Sequence, residues 1–269
     1  MKKVESKEQL LRELEMIKKW EDDQSGVWFW DRIGRLPFKI LDKITPSFIH
    51  KKMGNLLDEI GGYIQSGGRY LISKERLFSR IQDHTGQNVE KLSDIRSIPI
   101  KPLDEVTAEL IGQRKKLAAF QGATTGIGGM FTLALDIPAI LAISLKTLQE
   151  IAIIYGYDPD EKSERIFIVK CLQFSSADIV GKRAILNGLS EYNRQSDSSG
   201  EMMSQLQGWR EVVYTYRDSF GWKKLFQMVP VAGLIFGAIS NRSMIRDLSE
   251  TGSMLYRKRR IIERLEEMD

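Results

Sequence analysis

The chain of 269 residues is long enough to bury a substantial core. Its formal charge of +4 comes from 40 basic and 36 acidic residues that are well mixed along the sequence. This argues against a dedicated nucleic-acid protein, which would concentrate its cations on one face. A single cysteine, Cys171, excludes an internal disulfide, and its apolar setting IFIVKCLQF reads as a buried, inert thiol.

The opening MKKVESKEQLLREL is basic but lacks an apolar central region, so no signal peptide is expected. The expected location is cytoplasmic, either free or peripheral at the inner face of the cell membrane. Leu10, Leu14, Ile17 and Trp20 recur at helical spacing and form a first apolar stripe. In the next stretch, Pro37 and Pro46 punctuate two or three helices. Residues 28–52 hold six Lys/Arg against two acids, with Trp28, Phe29 and Trp30 at the head. A basic helix carrying aromatics can lie in an anionic bilayer surface, which makes Trp28, Phe29, Trp30, Arg32, Arg35 and Lys39 membrane-surface candidates. The competing reading makes Trp28 and Trp30 core anchors. Glycine pairs at 61–62 and 67–68 weaken any helix there unless packing holds it. Residues 85–106 are the most loop-like, and the one weak sub-boundary in a single domain of residues 1–269 falls near residue 100.

Pro102, Asp104 and Glu105 predict a helix start. Residues 117–135 then carry no charge. Asp136 or Ile137 is expected to cap a new helix beginning at Pro138, because the residue before proline is pushed out of the α region. Gly156 should stop that helix. Asp158 and Pro159 should start another by the same logic, running to about residues 187–188. NRQSDSSGE, 193–201, is a polar loop, and Pro230 opens the last long helical stretch. The predicted fold class is all-α: a multi-helix globular bundle with a central Gly-rich apolar helical hairpin.

No HExxH, CxxC, GxSxG or phosphate-loop motif is present, and the two histidines, His50 and His84, stand far apart. GIGG at 126–129 lacks both a preceding strand and a following lysine. The expectation is therefore no enzyme, no catalytic residue, no metal and no cofactor. The apolar segments carry more information. Gly122 and Gly126 form one GxxxG, and Gly233 and Gly237 form another; each pair lies on one helical face and lets two backbones approach. Residues 117–135 and 138–156 each approach the length of a membrane span. Against spanning, Lys146, Gln149 and Glu150 sit late in the second segment, with Lys146 and Glu150 spaced to pair as a water-facing stripe. The basic cluster YRKRR at 256–260, closely followed by Glu263, Glu266 and Glu267, reads as a solvated helix end.

The stretch GATTGIGGMFTLALDIPAILAISLKTLQEIAIIYGYD resembles the signature core of the bacterial EcsC family: a Gly-rich apolar run, Asp-x-Pro, then a helix ending in Tyr-Gly-Tyr. VPVAGLIFGAISNRSMIRDLSETGSMLYRKRR resembles its second hallmark, and the region near 37–57 also fits. The matching positions are Asp136, Pro138, Tyr155, Gly156, Tyr157 and Asn241. Asn241 is expected to bond polar groups where the two GxxxG helices meet. The resemblance implies a cytoplasmic or membrane-associated accessory protein, linked by the family's name to an ABC transporter, with no established catalysis. The resulting expectation is docking on a membrane surface or a membrane-protein partner, with no nucleic acid and with a homodimer allowed. The alternatives are a lipid or small-hydrophobic-ligand pocket between the Gly-rich helices, or a membrane-inserted hairpin.

Overall fold

In the computed structural model, described for residues 5–24, 62, 63, 65, 67, 72–126, 130–176, 182, 185, 186 and 230–269, helical periodicity becomes seven helices of defined bounds, and no strand occurs among the described residues. The described side chains exclude those of 125–126, 130–138, 176 and 230–237. The all-α prediction holds. The candidates between residues 25 and 60, including Trp28, Phe29, Trp30, Arg32, Arg35 and Lys39, lie outside the described residues, as does the 193–201 loop.

Helix α1 (Lys7–Gln24) buries Leu10 and Ile17 of the predicted stripe. Trp20 closes its far end, donating from its indole to Glu250 at 2.9 Å and lying 5.8 Å from the Phe174 ring. Helix α2 (Lys74–Thr85) begins at Ser73, whose hydroxyl accepts the Arg76 N–H, and ends at Gly86 in the left-handed region. Of the stretch 85–106 expected to be loop-like, residues 100–106 are helical, and the remainder contains the single turn α3 (Leu92–Ile95), where the Asp94 carboxylate accepts the N–H groups of Glu90 and Lys91 at 3.0 Å each. Val89, Ile95 and Ile98 from this loop join one buried cluster with residues from both sides of position 100.

Helix α4 (Ile100–Gly126) starts two residues before Pro102, where a missing N–H costs nothing because first-turn N–H groups have no helical acceptor. The Glu5 carboxylate accepts the Ile100 N–H at 2.6 Å and so caps this helix from a distance. Helix α5 (Met130–Ile154) corrects the sequence reading. It runs unbroken through Asp136, Ile137 and Pro138, so Asp136 is not a cap and Pro138 is not a first-turn residue. Pro138 removes the N–H that would bond to the Ala134 carbonyl, which costs about 3 kcal/mol in a helix interior. Burial of Ile140, Leu141, Leu145, Leu148 and Ile151–Ile154 on the same helix offsets that cost.

Gly156 does stop α5 as expected. Its φ of +89° places it in the left-handed region, and Gly156 N–H→Ile153 and Tyr157 N–H→Ala152, both 2.9 Å, close the helix end. Helix α6 (Lys162–Ser176) starts later than Pro159. The Asp158 carboxylate accepts the Asp160 N–H at 3.0 Å, making a local turn that delays the helix. Helix α7 (Pro230–Glu266) begins at the predicted proline and packs against α1, α4, α5 and α6. Among the described glycines its closest approach is to α5 at Gly252, where an added Cβ would lie 2.6 Å from Leu148 Cδ2.

Among the described residues no helix is long and apolar enough to cross a membrane. Helix α5 also buries Ser144, Thr147, Gln149 and Glu150 against protein. The inserted-hairpin alternative finds no described helix that fits it.

Candidate functional site

Four consecutive cations of α7 point about 100° apart, so a helix packed against several neighbours can spread them among those neighbours. Arg257 pairs with Glu13 of α1 and Asp104 of α4, both at 3.1 Å. Lys258 reaches Glu21 of α1 at 2.7 Å, and Arg259 reaches Glu164 of α6 at 2.9 and 3.1 Å. Arg260 donates to the Arg96 carbonyl and pairs with Glu263 at 3.0 Å. One turn later Arg264 pairs with Glu5 and donates to the Ile98 carbonyl. The basic run is therefore a largely buried hub of ion pairs and not the solvated helix end expected from its sequence. The nearby acids misled that reading, because most of the true partners lie at positions 5, 13, 21, 104 and 164.

The Tyr-Gly-Tyr motif feeds the same hub. Tyr155 donates to Asp104 at 2.6 Å, and Tyr157 donates to Glu263 at 3.0 Å. The Arg259 guanidinium lies 4.1 Å from the Tyr157 ring centre and 4.2 Å from that of Phe167, and Tyr256 donates to Glu164 at 2.6 Å. Burial pushes the hydroxyls of Tyr155, Tyr157 and Tyr256 well above the ordinary tyrosine value. Burial also lifts the Asp104 carboxyl to about 6, against the Tyr155 hydrogen bond and the Arg257 charge. For Arg259 burial works against the charge, but Glu164 and the tyrosines outweigh it and hold the group firmly protonated. Cys171 is buried, and its thiol is pushed up by desolvation first and Glu164 second.

A second polar feature is open to solvent. A cleft of about 580 Å³ lies between α2, α4 and α5, and none of the hub residues lines it. Here Glu150 corrects a further expectation. It is buried and is gripped by Arg114, through Nε at 2.7 Å and through Nη2, where the sequence suggested an exposed pair with Lys146. An acid set among Leu148, Ile151 and Ile154 is the signal that pointed inward.

Helices α4 and α7 run antiparallel, as the pairs Asp104–Arg257 and Gln121–Asn241 show. Asn241 is buried and its amide donates to Gln121 at 2.8 Å, next to the buried Gly122. Gly126 ends α4, while Gly233 and Gly237 lie in the first turns of α7; their packing lies outside the described contacts. Beside the Gln121–Asn241 bond, this end of the pair leaves large apolar side chains in water: Phe120 is 70% exposed, Ile239 62% and Leu117 44%. Lys116, Arg242 and Arg246 are exposed around them in sequence. Among the described residues no group of three or more His, Cys, Asp or Glu is placed to hold a metal ion. His84 stands 3.0 Å from Glu105.

The EcsC protein family model matches residues 11–261. The uncharacterized protein YdbA of Bacillus subtilis (strain 168) is 56% identical over 267 residues, covering 99% of this chain and 98% of that protein. Protein EcsC of the same organism is 28% identical over 166 residues, covering 62% of this chain and 67% of its own length. No solved structure matches the chain. With the match spanning both glycine-bearing helices, the Tyr-Gly-Tyr motif and most of the basic hub, the chain belongs to the EcsC protein family.

Proposed function

We propose that this chain is a non-enzymatic accessory protein that docks peripherally on the anionic inner face of the cell membrane, beside a membrane-protein partner such as an ABC transporter. The observation that carries the reading is the exposure of Phe120, Ile239 and Leu117 at one end of the α4–α7 pair, with the exposed cations Lys116 and Arg242 within one helical turn of them. Exposed apolar side chains on a folded surface mark interaction sites, and cations beside them select a negatively charged partner. An acidic membrane supplies both an apolar interior and an anionic rim, and each basic residue near it adds about 1 kcal/mol. The buried polar groups support a scaffold role: Asp104, Glu164 and the tyrosines are spent on ion pairs and hydrogen bonds that join helices.

Fractionation of cells expressing the full chain tests the reading. The chain should pellet with membranes and leave them in high salt, where screening shortens the reach of charge to about 3 Å at 1 M. Recovery wholly in the cytosolic fraction at low salt contradicts docking. Retention through an alkaline carbonate wash contradicts peripheral attachment.

A further inference from the structure

The cleft between α2, α4 and α5 has a charge imbalance that the hub lacks. Its lining holds Arg76, Arg80, Arg114 and Lys146 against one carboxylate, Glu150, which Arg114 already engages through two N–H groups. The uncompensated charge therefore falls to Arg76, Arg80 and Lys146. Arg80 donates one N–H to the Gln113 amide oxygen at 2.8 Å, while Arg76 and Lys146 make no ion pair among the described residues. Arg76 and Arg80 stand four apart on one helix, so without an anion between them their charges repel. Leu77 and Leu110 give the cleft an apolar wall.

We infer that this cleft binds a phosphate-bearing ligand with an apolar segment. The phosphoryl group sits among Arg76, Arg80 and Lys146, and the apolar part lies along Leu77 and Leu110. Planar guanidinium forks match phosphate oxygens in pairs, and a multiply charged phosphoryl group answers three cations better than a single carboxylate does. A volume of about 580 Å³ lies in the range of small-molecule sites and exceeds what a bare phosphate needs. The same chemistry occurs in a lipid headgroup and in a soluble organophosphate. The inference is independent of the docking reading, because Leu117, Phe120 and Ile239 do not line this cleft.

Calorimetry on the full chain, without vesicles, tests it with two probes: monomeric dihexanoyl phosphatidic acid and inorganic pyrophosphate. At least one should bind, and Arg76→Gln/Lys146→Gln should weaken binding by about tenfold for each charge removed. Binding of the lipid alone assigns a headgroup site with an apolar requirement. Equal binding of pyrophosphate assigns a soluble phosphate ligand. The single variant Arg76→Gln, at an exposed residue, provides the same readout should the double variant fold poorly. Absence of binding by both probes, or affinity unchanged in the variants, overturns the inference.

Discussion

Glu164→Gln isolates the electrostatics of the hub with little change in shape. The Glu164 carboxylate is buried and receives the Tyr256 hydroxyl at 2.6 Å and the Arg259 guanidinium at 2.9 and 3.1 Å. The glutamine oxygen can still serve Tyr256, but its amide N–H₂ meets the guanidinium with a donor instead of a charge. Arg259 cannot shed its proton, so it stays charged, mostly buried and unpaired. Breaking one side of a buried pair costs about 3–5 kcal/mol. The rings of Tyr157 and Phe167, near 4 Å from the guanidinium, retain part of its stabilisation, so a loss of about 3 kcal/mol is expected. At this chain length that corresponds to a fall in melting temperature of roughly 6–12 °C, read by circular dichroism at pH 7. Glu164→Leu/Arg259→Met removes both charges and should recover most of the loss. A single variant melting within about 2 °C of the parent, or a double variant losing the sum of its two singles, refutes the reasoning.

Three further outcomes follow from the same geometry. Asp104 has a folded-state value near 6, above its ordinary 3.8, so its contribution to stability is full below the unfolded value and is lost as pH rises through 6. Relative to Asp104→Asn, the parent should therefore gain about 2 kcal/mol between pH 7 and pH 4 in urea titrations, and parallel profiles would rule this out. Gly156→Ala forces a side chain into a φ of +89° and should cost about 1–2 kcal/mol in the same assay; an unchanged midpoint would remove the helix-stop argument. Cys171 should resist a disulfide-exchange reagent in the native chain and react fully in denaturant, whereas prompt native labelling contradicts its burial.

Local signals were legible where one residue decides the backbone. Gly156 stops α5, Pro230 opens α7, and Leu10 and Ile17 form the buried stripe of α1, all as the sequence suggests. Pro138 sits mid-helix against its propensity, because propensity describes the isolated helix while burial along Ile140–Ile154 is a tertiary quantity. The basic cluster 256–260 failed for a related reason: charge is visible in sequence, but whether it faces water depends on what surrounds the helix. Gly252 belongs to no GxxxG pair, so nothing in the sequence marks it, yet it makes the tightest described glycine approach. The cleft is not legible in the sequence because Arg76 and Arg80 of α2 meet Lys146 of α5 only on folding. Asn241 bonds to Gln121 between α7 and α4, while the packing of Gly126, Gly233 and Gly237 lies outside the described contacts.

The most direct measurement of peripheral docking is co-sedimentation with vesicles of phosphatidylcholine alone or with phosphatidylglycerol, using the parent and Phe120→Ser. Phe120 is 70% exposed, so its replacement should leave the melting temperature unchanged. The account predicts binding only to the anionic vesicles, reduced by high salt and weakened about tenfold or more in Phe120→Ser, the loss of one buried aromatic side chain. Equal binding by parent and variant, or no binding of the parent to anionic vesicles at low salt, contradicts it.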